Sequence, residues 1–164
     1  MKKPVMIIAI VVITLAIIGG GVVMYVRHEQ SVADAADSAS VRATVTGFGS
    51  KMQMVSLLAP STTLAQAMHE DYSAYVSPVL IAQWLQNPAL AAGRMISSPW
   101  PDHIQIISIT KNGSAMYTVT GNVVEMTSNE VEHGGFADEY PVTITVQKEH
   151  GSWLITQWIN NGQS

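Results

Sequence analysis

Between Pro4 and Val26 the chain carries no charged side chain. A bilayer core of about 30 Å calls for about 20 apolar residues at about 1.5 Å of rise each, and this run has the length. In hydrocarbon a backbone must satisfy its own hydrogen bonds, so the run is expected to be helical despite its many β-branched residues. Lys2 and Lys3 precede it and Arg27 follows it. Basic residues at the short N-terminal end place that end in the cytoplasm and the remainder outside. Tyr25 stands where an interfacial aromatic would. Gly19-Gly20-Gly21 fits a helix-packing surface, but the ordinary frequency of glycine in membrane helices is the plainer account.

A cleaved signal peptide also begins with basic residues, but its apolar core runs about 7–15 residues before a small-residue cleavage site. Here the core is longer, and Ala33-Asp34-Ala35, a match to such a site, lies well beyond it. Retention as an anchor is the reading and cleavage is the alternative. The expected organisation is a cytoplasmic tip at residues 1–3, a membrane-spanning helix at 4–26 in contact with the lipid bilayer, a tether at 27–40, an extracytoplasmic domain at 41–160 and a polar tail at 161–164. The expected location is the plasma (inner) membrane, single-pass. An extended tether of about 13 residues reaches at most about 45 Å.

Of the eight basic and twelve acidic residues, the first 27 positions hold three basic and no acidic ones. The exported part is therefore left with five against twelve, a net charge of −7 with His neutral. Nucleic-acid binding needs a basic footprint, so nucleic acid is excluded as a partner, and anionic lipid heads are disfavoured for the same reason. The chain has no Cys, which removes disulfides, thiolate metal sites and lipidation at cysteine. The domain must be held by its core, for which about 135 residues suffice.

Residues 28–40 are small and polar and read as a tether, or as a helix leading away from the membrane. Val41, Val45, Phe48, Met52, Val55 and Leu58 then recur at helical spacing. Gly47 and Gly49 weaken that helix by about 1 kcal/mol each against Ala, and Pro60 ends it. Ser61 is placed to cap a second helix running to about Tyr75. Ser77-Pro78 opens a third, with a cap and a proline at its first position, which stops near Asn87-Pro88. A loop covers Ala89 to Asp102.

Beyond it the period changes to two. Strands are expected at 103–110, 115–127, 139–148 and 152–159, with a tight Asn112-Gly113 turn after the first. Gly121 marks a possible bulge. A polar, acidic loop spans Ser128–Asp138. Helices followed by hairpin-connected strands define an α+β class: three helices packed on a twisted antiparallel sheet of about four strands.

Three helices before a twisted meander, closed by Gly151-Ser152-Trp153-Leu154-Ile155-Thr156, resemble the nuclear-transport-factor-2-like, or cystatin-like cone, domain over about residues 41–159. Tyr75-Val76-Ser77-Pro78, Trp84, Asn87-Pro88, Gly93-Arg94 and Ser97-Ser98-Pro99-Trp100-Pro101-Asp102 also look like uncharacterised anchored bacterial proteins of this type. An anchored cone is similar in layout to the inner-membrane scaffold subunits of type IV secretion and conjugation machines. That resemblance implies a protein-interaction or scaffold role in a bacterial envelope assembly, through a protein partner or self-association.

Cone-fold enzymes work with a carboxylate or His base in an apolar pocket and a Tyr or protonated acid opposite. Asp71, Tyr72, Tyr75 and His103 are the residue types to consider, but no catalytic motif is matched. No catalytic residue, cofactor or metal ligand is assigned, and a non-enzymatic role is expected. The carboxylates of Ser128–Glu139 match no calcium loop. Two sets of residues are singled out. Arg94, Trp100 and Asp102, on a proline-stiffened segment, form with Phe136 a possible partner surface, since Trp and Arg are frequent interface anchors. Tyr72, Tyr75, Trp84 and Trp153 are possible lining of a cone pocket for a small molecule or peptide. The plainer reading is that these aromatics are core, and that Trp100 plugs the sheet end while Arg94 pairs with Asp102.

Overall fold

The computed structural model describes residues 32–162. The expected anchor at 4–26 lies outside them. Among the described residues no helix is long and apolar enough to cross a membrane. The compact unit that begins at Ser38 carries the fold.

Helix α1 covers residues 32–49. It starts earlier than the apolar periodicity suggests and ends earlier as well. Val41, Val45, Phe48, Met52 and Val55 of the expected face are fully buried, whereas Leu58 is 70% exposed. The helix stops short of Pro60 and gives way to a 3-10 turn, Met52–Met54. Close approach explains the two glycines. A Cβ on Gly49 would lie 2.9 Å from the Ile104 nitrogen, and one on Gly47 would lie 2.5 Å from the Tyr75 ring. The packing that requires them outweighs their helix cost of about 1 kcal/mol each.

Helix α2 is Ser61–Tyr72. Ser61 is its first residue and not its cap. Pro60 holds the cap position without a side-chain bond, and its carbonyl accepts from the Leu64 N–H at 2.9 Å. Helix α3, Pro78–Gln86, starts as expected, with Pro78 in the first turn and the Ser77 hydroxyl accepting from the Leu80 N–H. The link between α2 and α3 is fastened to the sheet. Ile155 donates to the Tyr75 carbonyl at 2.7 Å, and Ser77 donates to the Ile155 carbonyl at 2.9 Å.

Four strands follow: β1 Trp100–Lys111, β2 Met116–Met126, β3 Asp138–Glu149 and β4 Ser152–Asn160. They form one antiparallel meander in chain order. Strand β1 begins three residues before the expected start, and Trp100 pairs with Met126. Its proline, Pro101, is tolerated on an edge strand. The ladder slips between Ile106 and Ser108, opposite Gly121, so the extra residue of the bulge lies on β1. Tyr117, Val119 and Val123 of β2 and Val142, Ile144 and Val146 of β3 point into the core with the helices' buried side chains. The opposite face is polar; there the Ser108 and Thr120 hydroxyls share a hydrogen bond of 2.7 Å.

The expected loop at Ser128–Asp138 contains a helix, α4 (Ser128–His133). Thr127 and Glu130 form a reciprocal capping box, which satisfies two terminal donors and nucleates a turn the apolar pattern does not announce. Hydrogen bonds from the Thr127 hydroxyl and Asn129 hold the Glu130 carboxyl down at about 2. A depressed acid stabilises the fold above its ordinary range and loses that contribution as pH falls through its folded value. Glu130 is therefore expected to titrate near pH 2 in a side-chain carbon NMR series. Thr127→Val should raise the midpoint toward the ordinary glutamate range, and an unchanged midpoint would show that the cap is not its cause.

Candidate functional site

The aromatic residues proposed as pocket lining do not converge. Tyr72 and Trp84 lie in the core with Phe48, whose ring centroid is 4.9 Å from Tyr72 and 6.2 Å from Trp84. The Tyr72 hydroxyl donates to the Ala92 carbonyl at 2.9 Å, pinning the loop after α3. Burial, Asp71 and Tyr140 push the Tyr72 phenol well above its usual range. Tyr75 is half-buried against Gly47. Trp153 packs elsewhere, edge-on to Tyr117 at 5.2 Å and beneath Lys148 Nζ at 5.3 Å. Trp84 also borders a cavity of about 400 Å³, together with Leu80, Leu90 and Trp158.

The proposed surface residues are more widely placed. Trp100 and Asp102 stand at the start of β1 and are half-buried. Asp102 pairs with His103 Nδ1 at 2.8 Å and not with Arg94. Arg94 exchanges backbone hydrogen bonds with Val55 and Leu57, and its buried Nε has no partner among the described residues. Phe136 is 56% exposed in the link from α4 to β3. Asp71 is taken up by Lys51 at 3.1 Å.

A different constellation emerges where the end of β2 meets the start of β3. Glu125 continues the inward parity of Tyr117, Val119, Gly121 and Val123. Its register partner is Asp138, and Val123 pairs with Tyr140. Glu125 and Tyr140 share a groove of about 440 Å³ with Leu57, Met95, Ile96 and Pro99. Burial first, and then Asp138, raises the Glu125 carboxyl. Burial and Glu125 raise the Tyr140 phenol. Met95 and Ile96 are 49% and 57% exposed on the rim. Sequence reasoning missed Glu125; the signal was available in its parity, which makes it the one carboxylate on the inward face of β2. Among the described residues no group of three His, Asp or Glu is placed to hold a metal ion.

The arrangement defines an α+β domain with one antiparallel sheet, a packed interior and a half-open groove at one end of the sheet. No protein-family model matches the chain, and no curated protein matches it. Among solved structures it is similar to an NTF-2-like protein of unknown function from Shewanella oneidensis MR-1, at 13% identity and a TM-score of 0.35, covering 60% of this chain and 84% of that one. A likeness at that score carries no argument about function.

Proposed function

We propose that the chain is a membrane-tethered, extracytoplasmic protein-interaction domain of a bacterial envelope assembly, built on a nuclear-transport-factor-2-like cone. The observation that carries this reading is the apolar rim. Leu58, Met95 and Ile96 are all exposed, border one recess and belong to segments joined through the Arg94 backbone bonds to Val55 and Leu57. Grouped exposed apolar side chains mark interaction surfaces more often than isolated ones do. The tether and orientation rest on the charge-free run at 4–26 and on Lys2 and Lys3. The filled space among Phe48, Tyr72 and Trp84 favours recognition at the surface over chemistry inside.

A photo-crosslinking residue in place of Ile96, in intact membranes, is expected to give discrete adducts with another protein. The same residue at Ser108, on the polar sheet face, should give none. Recovery of the uncrosslinked monomer alone from Ile96 would count decisively against the reading. A second reading, small-molecule or peptide binding in the cone pocket and more remotely enzymatic use of it, is favoured by one observation: Glu125 and Tyr140 line the same groove.

A further inference from the structure

Resting on the interaction reading above, we propose that the groove at the β2–β3 end of the sheet receives the cationic side chain of a basic, apolar-flanked segment on a partner protein. The argument is one of complementarity. Leu57, Met95, Ile96 and Pro99 supply apolar walls, and Glu125 is the only charged residue in the lining. A long basic side chain matches that pattern, because its methylenes lie along apolar surface while its head reaches a carboxylate.

The groove's charge is not answered from within. Asp138 stands directly opposite Glu125 in the ladder, so two carboxylates face one another across β2 and β3. Glu130, Glu132 and Glu139 lie on the adjoining segments. Among the described residues no Lys or Arg pairs with Glu125. Arg94, next to Met95 in the chain, borders the adjoining recess with Ser56 and Leu58, which shares Met95 and Ile96 with the groove, and is not itself part of the groove's lining. The partly buried Glu125 and the exposed Asp138 repel, and a cation placed at Glu125 relieves that repulsion. Burial first, and then that repulsion, raises the Glu125 carboxyl.

Charge also decides against a second copy of this chain as the occupant. Of the eight basic and twelve acidic residues, three and one precede residue 32. The described part is left with five basic against eleven acidic residues, a net charge of −6. Two such domains approach against their own field, whereas a basic segment is steered toward it.

The test uses the full chain in nanodiscs of neutral lipid, with blank nanodiscs as reference. The immobilised probe is acetyl-Ala-Leu-Arg-Leu-Ala-amide, compared by surface plasmon resonance with its neutral citrulline counterpart. The arginine peptide is expected to bind about two- to fivefold more tightly, the upper part of the range for a partly exposed ion pair. Glu125→Gln should abolish the preference. Ile96→Ser, on the exposed rim, should weaken both peptides alike. Equal binding of the two peptides, or a preference that survives Glu125→Gln, overturns the inference. Free arginine amide competing as well as the peptide would make this a small-cation site and overturn the polypeptide occupant. If Ile96 crosslinks to partners while the two peptides bind equally, the cation inference falls alone. If Ile96 yields only monomer, the interaction reading falls, whatever the peptides do.

Discussion

Trp84→Ala is expected to lower the stability of the domain by about 3–5 kcal/mol, the range for removing a buried aromatic ring. Trp84 is 2% exposed. Its ring stacks near Phe48 and meets Tyr72 edge-on, with centroids 6.0 Å apart, and Trp158 closes on the other edge of Phe48 at 5.7 Å. Truncation would remove the indole that separates this cluster from the cavity beside Leu80 and Trp158, leaving Phe48 and Tyr72 without packing on one side. Urea unfolding followed by near-ultraviolet circular dichroism measures the loss. Trp84→Phe should recover much of it, since hydrophobic exchanges that keep most of the volume cost less. A loss below about 1 kcal/mol for the alanine variant would mean that the ring lines open space. It would shift weight from surface recognition to binding within the cone.

The second large effect concerns Gly121→Ala. A Cβ at this position would lie 2.6 Å from the Gln105 carbonyl oxygen and 3.3 Å from Ile104 Cγ2. The nearest atom is backbone in the neighbouring strand, so no side-chain rotation relieves the contact. The ladder has already slipped here, between Ile106 and Ser108. Overpacking typically costs about 1–3 kcal/mol, and the upper end is expected where backbone must move. Amide exchange should quicken first along β1, between Ile104 and Ile109, while β3 and β4 keep their protection. Uniformly faster exchange across the sheet would indicate global destabilisation and not a displaced edge strand.

How far the sequence reveals this structure can be judged residue by residue. The spacing of Val41, Val45 and Phe48 exposes the buried face of α1, and the alternation of Tyr117, Val119 and Val123 exposes that of β2. Ser77-Pro78 announces α3 because cap and proline act locally. These signals are short-range and periodic, so they are readable without a fold. Helix α4 escaped because its apolar pattern is absent and only the Thr127–Glu130 pair encodes it. The end of α1 was misplaced because Gly49 answers to β1, which lies more than 50 residues away in the chain. The groove was hidden for a related reason. The environment of Glu125 is created by Met95, Ile96 and Pro99 arriving from another part of the chain, and no local spacing records that arrival. Tyr72 and Trp84 were legible as large inward aromatics, but whether they line a space or fill one depends on Phe48.

The fastening of Tyr75 and Ser77 to Ile155 carries a consequence for how the domain is made. These hydrogen bonds join positions nearly 80 residues apart, and such non-local closure is slow to form. The helical layer has no partner strand on that side until Ile155 has emerged. A nascent chain stalled before that point is left with an unanchored α2–α3 hairpin and an exposed apolar underside. Such a chain is expected to be open to proteases until β4 is present, so truncation before Ile155 should abolish protease resistance of the α2–α3 segment in limited proteolysis.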